Sequence, residues 1–534
     1  MLLLQPERPH DGTGIDLVRS TDVGGDDRVV AWRPDLDCLS WSRLELMSAG
    51  LEDAIDLLGW NRCSIDDEPC VIPRLEVQNH SHGSYCDVLV TWRERLHRIR
   101  QIRGISRREE EDCSSHDRNE RDSKEEIGDA VAGGRHRRDA TSVSGKRYRL
   151  DVDLNPVLSQ LGHYPIAMVA RRAAERRERG LPVIDFSIGD PREPTPAFIA
   201  DALRSGVPEV SQYPTAAGRK DLREAIAAYV WRRFGVEVDA ETQVLPTSGS
   251  KEAIFSTPFA FVDRTAADVV VFPSPGYPVY ERGAMFAGAA LHRVVLGADF
   301  VMRATDIPPE VMEKAKLVWL CTPHNPSGAV TTNADLADLV TACAESGTLL
   351  LSDECYSDVY EDDAFPGGPA SVLQAAPEGC EGVLSYLSLS KRSGMTGYRS
   401  GAVVGDAEAI DALKSLRSTT GTASADFVQS AAIAAWGDDG HAADRRAIFT
   451  AKREILARAF ASAGMDIVAS RAGLYLWARV GDDAAVTDKL LDHGIVVSPG
   501  SAFGEGGEGY IRLALVPTLG ECEAAAAALE HALV

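Results

Sequence analysis

Four short apolar runs, each closed by a polar segment rich in glycine, proline or hydroxyl residues, constrain this chain more than any other feature. They are Val269–Phe272, Leu317–Leu320, Leu349–Leu351 and Val383–Leu387. Runs of this length read as buried strands. Segments with helical spacing lie around and between them, as at Leu222–Val230 and Ala334–Ala344. Strands alternating with helices predict an α/β fold with a mostly parallel sheet covered by helices on both faces. In such sheets ligands bind beyond the carboxyl ends of the strands. The polar closing segments are therefore expected to meet in one crevice, although they are spread over roughly 150 residues.

The alternation begins near Asn155, with helical spacing at Ile166–Ala170. After the last run, helical spacing returns over Ala442–Ala463, and Gly473–Trp477 and Tyr510–Ala514 read as a smaller strand-and-helix region. The expected division is a large domain over residues 196–435 and a smaller α+β domain built from 151–195 and 436–534.

Residues 1–150 have another texture. They hold 23 Lys+Arg against 29 Asp+Glu, and 21 of those basic residues are arginine. Four of the eight tryptophans and five of the ten cysteines also lie here, and amphipathic periodicity is scarce. The stretch 106–142 is polar and charge-dense, a composition that cannot bury a core and reads as a disordered linker. We expect a poorly structured N-terminal extension. A start codon assigned too far upstream in a GC-rich gene would produce one, with Val143 or Val152 as the true initiator. A lineage-specific extension is the alternative.

The net charge of −24 argues against a nucleic-acid backbone as partner. Ten cysteines in 534 residues do not make a secreted disulfide framework. No CxxC pair exists, so no metal site is expected. The start, Met1 to Glu7, lacks a basic region and its apolar run is too short for a signal peptide. No apolar run of 18 residues occurs, so neither a transmembrane helix nor a membrane partner is expected, and a cytoplasmic protein is.

The chemistry is concentrated in the closing segments. Ser388, Ser390 and Lys391 follow the Val383–Leu387 run, and Arg399 comes eight residues after the lysine across a bend containing Gly394 and Gly397. A lysine there can form a Schiff base with an aldehyde. Hydroxyls and a guanidinium suit a phosphate, because the fork donates paired hydrogen bonds to its oxygens. Aldehyde and phosphate together point to pyridoxal phosphate. Asp353 follows the Leu349–Leu351 run. It could cap the next helix, or, buried, keep the cofactor's pyridine nitrogen protonated so that the ring draws electrons. Tyr356, three residues on, could donate to the ring's phenolic oxygen. After the Leu317–Leu320 run, Pro323, Pro326 and Gly328 fix a tight turn. That turn would hold Asn325 in one orientation, its amide sharing the same oxygen, while His324 reads as structural. Gly249, Ser250 and Lys251 open an apparent helix whose backbone amides would suit an anion. Tyr277, after the Val269–Phe272 run, could stack on the pyridine ring or simply pack as an aromatic.

Taken in order, Asn325-Pro326-x-Gly328, Asp353-x-x-Tyr356 and Ser388-x-Ser390-Lys391 with Arg399 resemble the class I/II aminotransferases of the aspartate-aminotransferase fold type. The resemblance covers roughly Asn155 to Val534. It implies that Lys391 attaches the cofactor, that Asp353 pairs with the pyridine nitrogen, and that Asn325 and Tyr356 meet the phenolic oxygen. It assigns the phosphate to Gly249, Ser250, Lys251, Ser388, Ser390 and Arg399. Tyr213 matches the tyrosine that reaches the partner subunit's phosphate, which implies a homodimer with shared sites. Arg512 matches the arginine that clamps the substrate α-carboxylate, and Gly189 the backbone contact beside it.

The Ser388–Arg399 stretch looks most like the succinyldiaminopimelate aminotransferase branch, which serves lysine and cell-wall precursor synthesis with glutamate as usual amino donor. Aspartate, alanine and LL-diaminopimelate aminotransferases share nearly all of these motifs and remain alternatives, as does a pyridoxal-phosphate lyase of the same fold. A transcription regulator with an aminotransferase-like domain is the reading from a different class. Trp92–Arg108 is locally basic, but residues 1–150 are net −6 and show no helix-turn-helix pattern.

Overall fold

The computed structural model describes residues 153–161 and 165–533, together with four upstream strands. Asp16–Thr21 pairs antiparallel with Asp27–Trp32, and Arg137–Thr141 with Arg147–Asp151. The rest of 1–152, including nearly all of the expected linker 106–142, the basic stretch Trp92–Arg108 and the candidate initiators Val143 and Val152, lies outside the described residues.

Seven strands form the central sheet. They are β1 (Val244–Thr247), β2 (Val269–Ser274), β3 (Ala290–Val295), β4 (Ala315–Cys321), β5 (Leu349–Asp353), β6 (Val383–Ser388) and β7 (Gly401–Gly405). Their spatial order is β1-β7-β6-β5-β4-β2-β3. All run in one direction except β7, which is antiparallel to both neighbours. The four apolar runs are the four adjacent strands β6, β5, β4 and β2.

Continuous apolar runs are what a sheet buried on both faces requires, because successive side chains point to opposite sides. Along β4, Val318 and Leu320 enter one core with Val271, Leu350 and Leu387. Leu317, Trp319 and Cys321 enter the other with Phe272, Leu351 and Tyr386. Flanking helices include Lys220–Phe234 and Asn333–Ser346. Each ends on a glycine in the left-handed conformation, Gly235 and Gly347, a stop that a Cβ would penalise.

A second sheet orders Ile467–Val468, Tyr475–Arg479, Tyr510–Ala514 and Ser498–Pro499, with antiparallel pairing throughout. The 23-residue helix Gly440–Ser462 and the helix Leu519–Ala532 pack beside it, around Phe449, Leu456, Phe460, Leu476, Leu513 and Leu529. Phe186 joins the same core, and its neighbours Ile184–Asp185 pair in parallel with Ile495–Val496. Among the described residues no helix is long and apolar enough to cross a membrane, and no cluster of side chains could hold a metal ion.

Candidate active site

The carboxyl ends of β1, β2, β4, β5 and β6 converge, and each delivers residues anticipated from the sequence. After β6 the chain makes a single helical turn, Leu389–Arg392, whose Ser388 cap accepts from the Ser390 N–H at 3.2 Å. Lys391 lies on that turn, partly buried, and its Nζ donates to the Gly189 carbonyl. Burial pushes the Lys391 amine down to about 8; Asp190 opposes the shift, while the Arg512 and Arg399 guanidiniums add to it.

Asp353 closes β5 and is buried. Its donors are neutral: the Tyr280 hydroxyl at 2.7 Å and the Cys355 N–H at 3.2 Å. Burial raises its pKa, and those hydrogen bonds offset the rise only in part. Tyr280 is stacked on Trp319 with ring centroids 5.0 Å apart, and Tyr277 meets it edge-on at 5.6 Å.

The turn after β4 holds Asn325 beside Arg512. Arg512 Nη1 donates to Asn325 Oδ1 at 2.9 Å and Nη2 to the Ser187 carbonyl at 2.7 Å. Its guanidinium lies between the rings of Tyr475 (4.3 Å) and Phe503 (4.5 Å). Arg512 Nε is buried with no partner among the described residues. Tyr356 shares a hydrogen bond with Tyr475, hydroxyl to hydroxyl, at 2.8 Å. His324 bonds Ser327 Oγ at 2.8 Å and the Pro275 carbonyl at 3.1 Å, and burial lowers its pKa to about 4. It ties two of the converging segments together as a neutral ring.

Gly249, with φ of +80°, opens the helix Ser250–Ser256 after β1. A Cβ there would stand 2.4 Å from Arg399 Nη2, so the missing side chain is what lets the guanidinium approach the helix start. Thr247 Oγ1 is buried beneath this corner with no partner among the described residues. Ser388 and Ser390 are buried nearby, whereas the Lys251 and Arg399 side chains are exposed. Tyr213 is fully exposed on the Gln212–Gly218 segment and contributes nothing to this crevice within one chain.

Three neighbours were not singled out from the sequence: Tyr280, Tyr475 and Thr247. Tyr280 lies three residues after Tyr277, in the first turn of the helix Val279–Ala287. Tyr475 sits diagonally from Arg512 across an antiparallel pair in which Trp477 is opposite Arg512, and that register is invisible in either strand alone.

A mostly parallel sheet presenting a lysine and a buried aspartate at its strand ends, with an arginine from the second sheet brought to the Asn325 turn, defines a pyridoxal-phosphate transferase. The family described as aminotransferase class I and II matches residues 182–529, and the chain belongs to it. The LL-diaminopimelate aminotransferase of Aquifex aeolicus is 36% identical over 378 residues, covering 69% of this chain and 96% of its own. The enzyme of that name from Dehalococcoides mccartyi is also 36% identical, over 68% of this chain and 94% of its own. Among solved structures, an aminotransferase from Neisseria meningitidis aligns with a TM-score of 0.66 at 34% identity, over 71% of this chain and 99% of its own. A probable N-succinyldiaminopimelate aminotransferase from Thermus thermophilus aligns at 0.65 and 27% identity, over 69% of this chain and 100% of its own. The protein is thus a pyridoxal-phosphate-dependent aminotransferase, exchanging an amino group between amino acids and 2-oxo acids.

Proposed function

We propose that this enzyme transaminates a diaminopimelate-type amino acid in lysine synthesis, as a cytoplasmic homodimer. Relatives named LL-diaminopimelate aminotransferase, at 36% identity over two thirds of the chain, favour the free diamine as substrate. The Ser388–Arg399 stretch and the Thermus thermophilus structure favour an N-succinylated one. The two differ in whether the distal nitrogen carries a charge. Side-by-side kcat/KM with LL-diaminopimelate, its N-succinyl derivative, aspartate and alanine, each with 2-oxoglutarate, separates them. Preference for aspartate or alanine would overturn the diaminopimelate reading.

The cofactor fits the residues present. Asp353 is a buried carboxylate with only neutral donors, which suits a cationic ring nitrogen. The buried, unpaired Thr247 hydroxyl and the gap above Gly249 beside Arg399 suit an anion. Gly249, Ser250, the Lys251 backbone, Ser388, Ser390 and Arg399 would hold the phosphate. Asn325 and Tyr356 would meet the phenolic oxygen, and Tyr277 would lie against the ring. When bound, the cofactor supplies a covalent carbonyl and an electron-accepting ring.

The remaining work belongs to the chain. Arg512 binds the substrate α-carboxylate through its fork, preoriented by Asn325, Ser187 and the two flanking rings. The Gly189 backbone lies beside it. Lys391, once its nitrogen is free, takes the proton from the substrate α-carbon, and an amine held near 8 is matched to that transfer at neutral pH. Two half-reactions at one site predict ping-pong kinetics.

Full exposure of Tyr213 supports the shared-site dimer, since a tyrosine presented to solvent is available to a second copy. The five described cysteines are all free, in keeping with a reducing compartment. The pairing of Ile184–Asp185 with Ile495–Val496 supports grouping 151–195 with 436–534 as the smaller domain, against 196–435 as the larger. Sedimentation of the purified protein tests the dimer.

A further inference from the structure

The residue after the lysine, Arg392, has no part in the assignments above, yet its side chain is anchored on every side. It is buried, and every guanidinium nitrogen is engaged. Nε donates to Asp358 Oδ2 at 2.8 Å, Nη1 to the Ala435 carbonyl at 2.8 Å, and Nη2 to the Asp438 carbonyl at 2.9 Å and Asp439 Oδ1 at 2.5 Å. Its plane lies over Tyr229 at 5.0 Å and near Trp436 at 5.7 Å.

Each partner matters for where it sits in the chain. Asp358 follows Asp353 and Tyr356 by five and two residues. Ala435, Asp438 and Asp439 span the junction between the helices Asp426–Gly437 and Gly440–Ser462. One guanidinium therefore binds the lysine-bearing turn to the segment carrying Asp353 and to that helix junction. The turn itself is four residues long, too short to hold an orientation by its own hydrogen bonds. Consecutive helical side chains diverge by about 100°, so anchoring Arg392 in the core fixes the direction in which Lys391 leaves the turn.

We propose that Arg392 is the positioning residue for Lys391, and that its buried pair with Asp358 sets the lysine nitrogen against the segment carrying Asp353 and Tyr356. A second basic residue supplies an internal control. Arg233 donates to the other oxygen of Asp358 at 3.0 Å, but it belongs to the helix Lys220–Phe234 and not to the lysine turn. A role confined to holding Asp358 would make the two arginines equivalent.

The experiment compares Arg392→Lys with Arg233→Lys. Both keep the charge and lose the fork, so both lower the melting temperature. Three further quantities are read: kcat and KM, the pH midpoint for appearance of the visible band when pyridoxal phosphate is added to cofactor-free protein, and the fraction trapped at Lys391 by borohydride. For Arg392→Lys we expect kcat to fall about tenfold to a hundredfold with KM little changed, as for a misplaced catalytic group. The pH midpoint rises, because a loosened amine regains water and holds its proton more tightly, and the trapped fraction drops. Arg233→Lys, which leaves the lysine turn's own anchors in place, moves all three much less. If Arg392→Lys does not fold, Asp439→Asn, which weakens one surface-facing anchor, is expected to shift the midpoint the same way by less. A melting-temperature loss with unchanged kcat, midpoint and trapping, or equal effects from the two arginines, overturns the proposal.

Discussion

Tyr280 donates its hydroxyl to Asp353 Oδ2 across 2.7 Å, so a carboxylate at the end of β5 is held by a helix that begins after β2. The stacking of Tyr280 on Trp319 of β4 leaves the phenol little freedom to turn away. The bond counters part of the rise that burial imposes on Asp353.

Replacing Tyr280 by phenylalanine removes that donor while keeping the ring. The Asp353 pKa should climb further, and the buried acceptor left bare should cost about 1–3 kcal/mol. Chemical denaturation of cofactor-free protein reads the second effect, and titration with pyridoxal phosphate should show weaker binding. Unchanged values in both would mean that the bond does not hold Asp353.

The depressed Lys391 pKa makes a prediction about stability in cofactor-free protein. The folded amine titrates near 8 and the unfolded one near 10.5. Below pH 8 both states are protonated and the folded state bears the burial penalty in full. Between 8 and 10.5 only the unfolded state holds the proton, so stability rises with pH. Lys391→Met should therefore be more stable than the wild type at pH 7, by up to about 3 kcal/mol, with the gap closing above pH 8. The same variant should lose activity by about a thousandfold or more. Urea midpoints measured across pH check the sign, and a gap that widens with pH contradicts it.

Arg512→Lys keeps a positive charge but cannot reach Asn325 Oδ1 and the Ser187 carbonyl while offering a fork to a carboxylate. We expect kcat/KM for the amino acid to fall about a hundredfold, with cofactor affinity nearly unchanged. Steady-state kinetics beside cofactor titration separates the two. A matched loss of cofactor binding would move Arg512 from the substrate to the cofactor.

At Gly249 an alanine meets two obstacles. Its φ of +80° disfavours any Cβ, and that Cβ would lie 2.4 Å from Arg399 Nη2. Gly249→Ala should push the guanidinium aside and weaken pyridoxal phosphate binding about tenfold, the scale of one charge-assisted hydrogen bond. Activity should recover at saturating cofactor. Inorganic phosphate competing equally well for wild type and variant would argue against a phosphate at this corner.

Much of the fold and site was legible because strand ends are local. Val269–Phe272, Leu317–Leu320, Leu349–Leu351 and Val383–Leu387 each lie within a strand of the central sheet, and Tyr277, Asn325, Asp353 and Lys391 follow them directly. Gly401–Gly405 was missed as the reversed strand, since a short glycine-flanked run carries no sign of its direction. Tyr475 and Arg392 were missed for another reason: their importance lies wholly in what they touch.

The sequence alone settled which chemical groups stand at the ends of which strands, because an apolar run and the polar segment closing it are covalently joined. Only the tertiary structure decided which groups face one another. The spatial order β1-β7-β6-β5-β4-β2-β3 departs from chain order, and the register of Tyr475–Arg479 on Tyr510–Ala514 is set by packing of two cores. Contacts such as Tyr280 with Asp353, Tyr475 with Arg512 and Arg392 with Asp358 follow from that packing, and no spacing along the chain encodes them.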